Sequence, residues 1–188
     1  WEAGSVIEKI RLAEDAGAFA VGMDIDAAGL VTLSLHGKGV SPKTVGELRS
    51  IRMATNLPFI LKGVMTPEDA LAAIDAGADA IVVSNHGGRV LDGTPGAADV
   101  LPAIARACKG KIAILADGGV RSGVDVLKMI ALGADAVLFG RPLVVASFGG
   151  KAEGVTLAFD RLRAELESAM ILTGCTSVAD ITDRVVFR

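Results

Sequence analysis

The sequence predicts an α/β fold of the TIM (β/α)8 barrel class, of which this chain would supply about the last five β/α units. Short β-branched runs alternate with helical patterns along the 188 residues, as expected for a parallel sheet with right-handed crossovers. A Gly-Ala turn joins a helix to a strand three times, within 15–20, 75–80 and 131–136. Polar residues follow the apolar runs, at the strand ends where such folds bind ligands.

Two architectures fit the five predicted strands. A closed barrel needs eight strands and usually about 250 residues, so we expect residues 1–188 to be a single domain that lacks the N-terminal strands of a barrel. A five-stranded open α/β sheet is the alternative, because it would need no further strands.

Composition narrows the classes of function. Hydrophobic residues make up 51% of the chain and charged residues 22%, which suffices for a sizeable core. A net charge of −3 without a dense Lys/Arg run argues against a nucleic-acid surface, and the apolar runs are too short to span a membrane. Cys108 and Cys175 lack metal-ligand spacing, so we expect no metal and a reduced, cytoplasmic protein.

The first unit consists of a helix and a strand. Ser5-Val6-Ile7-Glu8 has the form of a capping box, which predicts a helix from there to about Ala16. The apolar run 19–26 predicts a buried strand. Residues 27–39 contain three glycines without a clear period, and they predict a loop.

The second unit repeats this order. Thr44-x-x-Glu47 predicts the start of a helix, and the run 58–64 predicts a strand that carries Lys62 near its carboxyl end. Thr66-Pro67 then opens a third helix. The inner face of that helix is expected to be formed by Ala70, Leu71 and Ile74.

The remaining elements continue the alternation. The predicted strands are 80–83, 111–116 and 134–139. A turn-rich segment at 92–96 precedes a helix with Val100, Ile104 and Ala107 inside, and Ser122-x-x-Asp125 caps the next helix. The last helix is expected over about 150–173, ended by Gly174.

Polar side chains gather after every predicted strand. Because the carboxyl ends of parallel strands meet at one edge of a sheet or barrel, these side chains are expected to form one ligand site. They are Asp24 and Asp26, Lys62, the segment Ser84 to Arg89, the segment Asp117 to Arg121, and Gly140 with Arg141.

The segment Ser84-Asn85-His86-Gly87-Gly88-Arg89 carries the most specific chemistry. His86 can take a proton near neutral pH, and Arg89 offers a planar fork of donors suited to a carboxylate. Two glycines between them let a ligand approach the backbone. The alternative is a loop histidine beside a solvated charge.

The last two strand ends favour an anion. Gly118, Gly119 and Gly140 can expose backbone N–H groups, and each turn leads into a helix N-terminus whose partial positive charge favours a phosphate. Arg121 and Arg141 add full charges. Tight turns with two solvated arginines are the alternative interpretation.

Four motifs resemble the FMN-dependent α-hydroxy-acid dehydrogenase and oxidase family, which includes glycolate oxidase, lactate oxidase and flavocytochrome b2. The resemblance extends over residues 19–180, and its most specific motif is His-Gly-Gly-Arg. The four motifs are Ile60-Leu61-Lys62-Gly63, Ser84 to Arg89, Asp117-Gly118-Gly119-Val120-Arg121-Ser122-Gly123, and Gly140-Arg141-Pro142.

The resemblance implies oxidation of a small, lactate- or glycolate-like 2-hydroxy acid to the 2-oxo acid, with FMN as cofactor. His86 would be the base, Asp26 the carboxylate behind it, and Arg89 the partner of the substrate carboxylate. Lys62 would lie beside the N1 and O2 edge of the flavin, where positive charge stabilises the reduced ring. The remaining cofactor contacts implied are Ser84, Asp117, Gly118, Gly119, Arg121, Gly140 and Arg141.

The chain also departs from the family pattern. Asp24 stands where the family has Thr in its Thr-x-Asp strand end. The second substrate-binding Arg of many members has no counterpart in 27–31, and the chain contains no Tyr. The identity of the hydroxy acid and the electron acceptor therefore stay open.

Two other functions remain. The Gly-rich phosphate turns also resemble those of type 2 isopentenyl diphosphate isomerase and IMP dehydrogenase, although that interpretation leaves His86 and Arg89 without a role. An incomplete barrel would instead expose two unpaired strand edges, near 19–26 and 134–139, and such edges invite pairing with another copy. We therefore expect a homo-oligomer, and an inactive self-associating half-barrel is the third hypothesis.

Overall fold

A sheet of five parallel strands forms the centre of the computed structural model, which describes residues 2–30, 35 and 40–187. The strands are β1 (Val21–Asp24), β2 (Phe59–Val64), β3 (Ala80–Val83), β4 (Ala113–Ala116) and β5 (Ala136–Val137). Their order in space is their order in the chain, and each pairs in parallel with the next. A doubly wound sheet reverses this order at a switch point, so the topology confirms an arc of a barrel.

Helices separate the strands in the chain. They are α1 (Ala3–Asp15), α2 (Val45–Arg52), α3 (Pro67–Asp75), α4 (Ala97–Cys108), α5 (Gly123–Ala131) and α6 (Arg141–Thr173). Lys151 has a φ of 50° and interrupts the helical geometry of α6, so this segment is two helices joined at a kink. Within the described residues, no helix combines the length and apolarity that crossing a bilayer requires.

The core lies between one face of the sheet and the helices. Alternate residues of each strand point to this face, and helices contribute a matching apolar stripe. The largest fully buried side chains are Ile51, Phe59, Leu61, Ile81, Leu101, Ile104 and Ile114. In β2, the side chain of Lys62 alternates with those of Phe59 and Leu61 and therefore points to the other face of the sheet, where the polar residues lie.

Two helix predictions need correction. Helix α1 begins at Ala3, with Glu2 as N-cap and no side-chain cap, because a backbone bond from Val6 to Glu2 O already closes the first turn. Ser5 therefore lies inside the helix and forms no capping box. In α3, Leu71 is 46% exposed, whereas Ala73 is buried, because the inner stripe runs through positions 70 and 73.

Two predicted strands are shorter than expected. The predicted strand 19–26 is reduced to β1, because Phe19 is 90% exposed and Asp26 begins a 3-10 turn, Asp26–Gly29. Only two residues of the run 134–139 pair as β5. The helix expected over about 150–173 agrees with the part of α6 that follows the kink at Lys151, and a helical segment that begins at Arg141 precedes it. The predicted loop 27–39 lies partly outside the described residues, which omit 31–34 and 36–39.

Two predicted capping boxes are present in the structure. The Thr44 side chain and Glu47 cap α2, and the Ser122 side chain and Asp125 cap α5 in the same reciprocal way. Burial disfavours the ionised form of Asp125, but hydrogen bonds from the Arg121 and Ser122 backbone and from the Ser122 hydroxyl lower its pKa overall. The box thus joins α5 to the glycine turn that precedes it.

Removing the α5 cap should be measurable in the stability of the chain. Replacing Ser122 with alanine leaves the Asp125 backbone N–H without its side-chain acceptor, and we expect a loss of about 1 kcal/mol in the free energy of unfolding. Ser50 is a matched control, since its exposed hydroxyl donates to Gly46 O within the same helix, α2. Equal urea midpoints for Ser122→Ala and Ser50→Ala would contradict the assignment.

Candidate active site

A cleft of about 690 Å³ opens at the carboxyl ends of β2 to β5. One side is polar and the other apolar, and nearly all residues predicted for the site line it. The polar lining comprises Lys62, His86, Arg89, the turn Asp117 to Arg121, Gly140 and Arg141, and the apolar side includes Leu138, Phe139, Val144 and Val145. The structure therefore brings together four strand ends that lie far apart in the sequence.

The loop after β3 holds His86 by local hydrogen bonds. Ser84 is fully buried, and its hydroxyl accepts a bond of 3.1 Å from the His86 backbone N–H. The Asn85 side chain accepts from the backbone N–H groups of Gly87 and Gly88, which turns the chain. His86 itself has a φ of 56°, a conformation that is uncommon outside glycine and clusters at functional sites.

A carboxylate lies directly behind the imidazole. Nδ1 of His86 is 2.9 and 3.0 Å from the two carboxylate oxygens of Asp26. Both side chains are about 15% exposed, so the pair is held away from bulk water. Because a carboxylate accepts, the proton of a neutral imidazole lies on Nδ1 and Nε2 carries the free lone pair.

Gly63 makes room for this carboxylate. The residue follows Lys62 with a φ of 103°, and a Cβ at this position would lie 2.6 Å from Cγ of Asp26. Any side chain here would therefore push Asp26 away from His86.

Lys62 lies beside the same histidine. Its Nζ is 3.4 Å from Nδ1 and 3.3 Å from Nε2 of His86, so the ammonium is not aligned on the lone pair of either nitrogen. Nζ also donates to Asp24 Oδ1 at 3.0 Å. Asp24 and Lys62 are direct neighbours in the register of β1 and β2, which explains why they meet.

The two glycine turns face the other half of the cleft. Gly118 and Gly119 have φ values of 101° and 75°, which only glycine adopts without strain. Gly140 is the N-cap of α6 and offers no side-chain cap. The Arg141 guanidinium reaches back to the histidine loop, since a Cβ added at Gly87 would lie 3.0 Å from one of its nitrogens.

Three further predicted residues have defined places. Arg89 is exposed at the cleft, and its Nε donates to the His86 carbonyl at 3.1 Å. Asp117 lines the cleft directly after β4, and its backbone N–H donates to Val83 O. Arg121 is exposed beside them. The two arginines, the open glycine turns and the apolar wall together fit a ligand that joins an anionic group to a flat ring.

Asp24, Asp26 and His86 approach closely enough to serve as ligands of one metal ion. The Lys62 ammonium, however, lies within 3.4 Å of both Asp24 and His86. A lysine ammonium therefore already supplies positive charge at this cluster.

A second cavity, of about 630 Å³, lies between α1 and β1. Its lining is mostly apolar, with Val6, Ile10, Val21 and Phe59 among its residues. The glycine turns, His86 and Arg89 all belong to the first cavity. Most of the predicted site residues thus lie in the cleft at the strand ends.

Sequence reasoning assigned no role to three residues that shape the site. Asn85 orders the histidine loop, Gly63 admits Asp26, and Asp24 pairs with Lys62. Asn85 and Gly63 stand inside motifs that the sequence analysis had identified, so a place for both in the site could have been predicted. The pair between Asp24 and Lys62 depends on strand register, which the sequence alone does not specify.

The chain matches one family model and several curated proteins over most of its length. The family model described as FMN-dependent dehydrogenase matches residues 27–188. The chain is 43% identical over 144 residues to the 2-hydroxyacid oxidase of Dictyostelium discoideum, covering 77% of this chain and 37% of that protein. It is 51% identical over 142 residues to an L-lactate dehydrogenase of Xanthomonas campestris, covering 76% and 37%. The chain thus spans about 37% of the length of these relatives.

Solved structures agree with the fold. A mandelate oxidase bound to 3,3-difluoro-2-hydroxy-3-phenylpropionic acid superposes with a TM-score of 0.88 at 39% identity, covering 96% of this chain and 59% of that one. A mandelate oxidase mutant with a C4a-OH-FMN adduct gives a TM-score of 0.86 at 39% identity, covering 94% and 58%. FMN is the cofactor of the family, and the anion-binding turns and apolar wall of the cleft fit such a group. The chain therefore belongs to the FMN-dependent dehydrogenase family.

Proposed function

We propose that the protein containing this chain oxidises a small 2-hydroxy acid to the 2-oxo acid with FMN. The observation that carries the proposal is the partly buried pair of His86 and Asp26, whose histidine lines the same cleft as the glycine and arginine turns. The relatives named 2-hydroxyacid oxidase and L-lactate dehydrogenase support this substrate class. A lactate- or glycolate-like acid is the specific substrate that we propose.

His86 acts as the base in this proposal. Its Nδ1 is engaged by Asp26, so Nε2 is the atom that takes the substrate proton. Asp26 holds the imidazole in this tautomer and faces the positive charge that forms on it. When bound, FMN accepts the two electrons that leave the substrate α-carbon.

Cations place the substrate and the cofactor. The Arg89 guanidinium binds the substrate carboxylate, from a loop position three residues beyond the base. Lys62 supplies positive charge to the flavin ring, and Arg121 and Arg141 hold the phosphate with Gly118, Gly119 and Gly140. Asp117 contacts the cofactor. The family resemblance implies the same for Ser84, but its side chain is fully buried in this chain, where the hydroxyl supports the His86 backbone.

Anaerobic reduction of bound flavin tests the substrate class. We expect FMN-loaded protein to lose its visible absorption on addition of L-lactate, glycolate or mandelate. A matched alcohol without the carboxylate should have little effect, because Arg89 then lacks its partner. Loaded protein that no 2-hydroxy acid bleaches, but that turns over a diphosphate substrate, would contradict the proposal in favour of an isomerase.

Replacing Gly63 with alanine should separate Asp26 from His86. The added Cβ would lie 2.6 Å from Cγ of Asp26, and we expect flavin reduction by the hydroxy acid to slow at least about tenfold. The measurement is the rate of bleaching in a stopped-flow instrument.

Gly93 provides a control for backbone strain. Its φ of 79° is also in the left-handed region, but an added Cβ would meet nothing within 4 Å. Gly93→Ala therefore reproduces the conformational strain without touching the pair. A similar slowing in both variants would show that strain, and not the displacement of Asp26, is responsible.

Self-association and a cytoplasmic location complete the proposal. The outer edges of β1 and β5 pair with no other described strand, and Val145, Phe148 and Leu172 are exposed apolar side chains, which favours contact between copies. Both cysteines are free and buried, in keeping with a reducing compartment. Sedimentation velocity would show a stable monomer if the oligomer proposal is wrong.

A further inference from the structure

Asp24 places a second carboxylate in the candidate active site. It ends β1 directly opposite Lys62 in the parallel register, and Oδ1 lies 3.0 Å from Lys62 Nζ. The same oxygen is 4.0 Å from His86 Nε2. A threonine, the family residue at this position, could offer a hydroxyl there but no charge.

The four side chains form a compact charge cluster. Asp26 contacts one edge of the imidazole, Asp24 lies nearer the other nitrogen, and Lys62 is close to both nitrogens. Asp24 and Asp26 together balance the Lys62 ammonium and the imidazolium that forms when His86 takes a proton. Without Asp24, Lys62 would lose the carboxylate that pairs with it, and Asp26 would be the remaining negative charge of the cluster.

The side chains are held with different degrees of access to water. Asp24 is 43% exposed and lines the second cavity, whereas Lys62 is 23% exposed and lines the cleft, so the ion pair joins the walls of the two cavities. Because both side chains are partly exposed, water screens the pair, so Asp24 restrains Lys62 without locking its side chain in place.

We propose that Asp24 is a positioning residue that holds Lys62 toward His86 and reduces the positive charge that Lys62 offers to a bound flavin. The effect on the flavin rests on the proposed function, whereas the effect on Lys62 does not. Loss of Asp24 should therefore make Lys62 more accessible to reagents in the cofactor-free chain. In the chain loaded with FMN, it should make the flavin easier to reduce.

The first test uses the chain without cofactor. Acylation of lysines by a mild reagent is measured at each site by mass spectrometry, with exposed Lys128 as internal reference. In Asp24→Asn we expect acylation of Lys62 to rise about three- to fivefold relative to Lys128. Asp75→Asn is the matched control, because it removes an exposed, ion-paired carboxylate whose partner is Arg49.

The second test uses the chain loaded with FMN. We expect Asp24→Asn and Asp24→Thr to bind FMN about three- to fivefold more tightly and to raise its midpoint reduction potential. Asp75→Asn should change neither quantity. A purely structural role of Asp24 would weaken FMN binding in both variants.

The outcomes separate this inference from the proposed function. Unchanged acylation of Lys62 in Asp24→Asn would overturn the inference, whatever the protein does with FMN. Increased acylation with an unchanged or lower flavin potential would overturn the part that concerns the flavin. If the chain binds no FMN, the claim that this cleft alone holds the cofactor has failed, and the acylation result alone decides whether Asp24 restrains Lys62.

Discussion

Replacing His86 with glutamine should lower the rate of flavin reduction by a 2-hydroxy acid about 10³-fold. The Asp26 carboxylate orients the imidazole through Nδ1 and leaves Nε2 for the substrate. FMN should remain bound, because the proposed phosphate contacts lie on the turns after β4 and β5. Stopped-flow bleaching and the visible spectrum measure the two properties separately.

A double variant checks that Asp26 acts through His86. Asp26→Asn alone should slow flavin reduction, because the carboxylate no longer orients the ring. Adding Asp26→Asn to His86→Gln should cost little more, since residues that act as a unit are strongly non-additive. Unimpaired bleaching by His86→Gln would refute the base assignment, and additive losses would refute the coupling.

Replacing Gly123 with alanine should strongly destabilise the chain. A Cβ at this position would lie 2.1 Å from the Leu166 backbone N and 2.4 Å from Leu162 O, both in α6. Backbone atoms of a helix cannot rotate away, so α5 and α6 would have to separate. We expect a loss of about 3 kcal/mol in the free energy of unfolding, measured by urea titration.

Gly46 gives the opposite expectation from the same chemical change. It lies in the first turn of α2, where an added Cβ would meet no atom closer than 4.0 Å. Gly46→Ala should therefore stabilise the chain by about 0.5–1 kcal/mol through helix propensity. If Gly123→Ala is as stable as Gly46→Ala, the close approach of α5 and α6 is wrong.

Much of the site followed from the sequence because strand ends converge in parallel architectures. The positions of Lys62, His86 and Arg141 after apolar runs were enough to predict that they would share one cleft, and the cleft contains all three. Local rules also predicted both reciprocal caps, since a capping box involves only residues three apart.

The remaining features depend on contacts between distant segments. Whether Leu71 or Ala73 faces the core follows from how α3 packs on its neighbours, and the pattern of apolar residues alone wrongly favoured Leu71. The pair of Asp24 with Lys62 needs the register of β1 against β2. The role of Gly63 needs the location of Asp26, which leaves the strand in a 3-10 turn.

We propose that this cleft holds FMN by its phosphate, between the turns that contain Gly118, Gly119 and Arg141. The direct measurement is the visible spectrum of the chain after mixing with excess FMN and gel filtration, in parallel with riboflavin. We predict that FMN is retained and riboflavin is lost, and that Arg141→Ala releases FMN. Equal retention of riboflavin, or loss of both flavins, would contradict the claim.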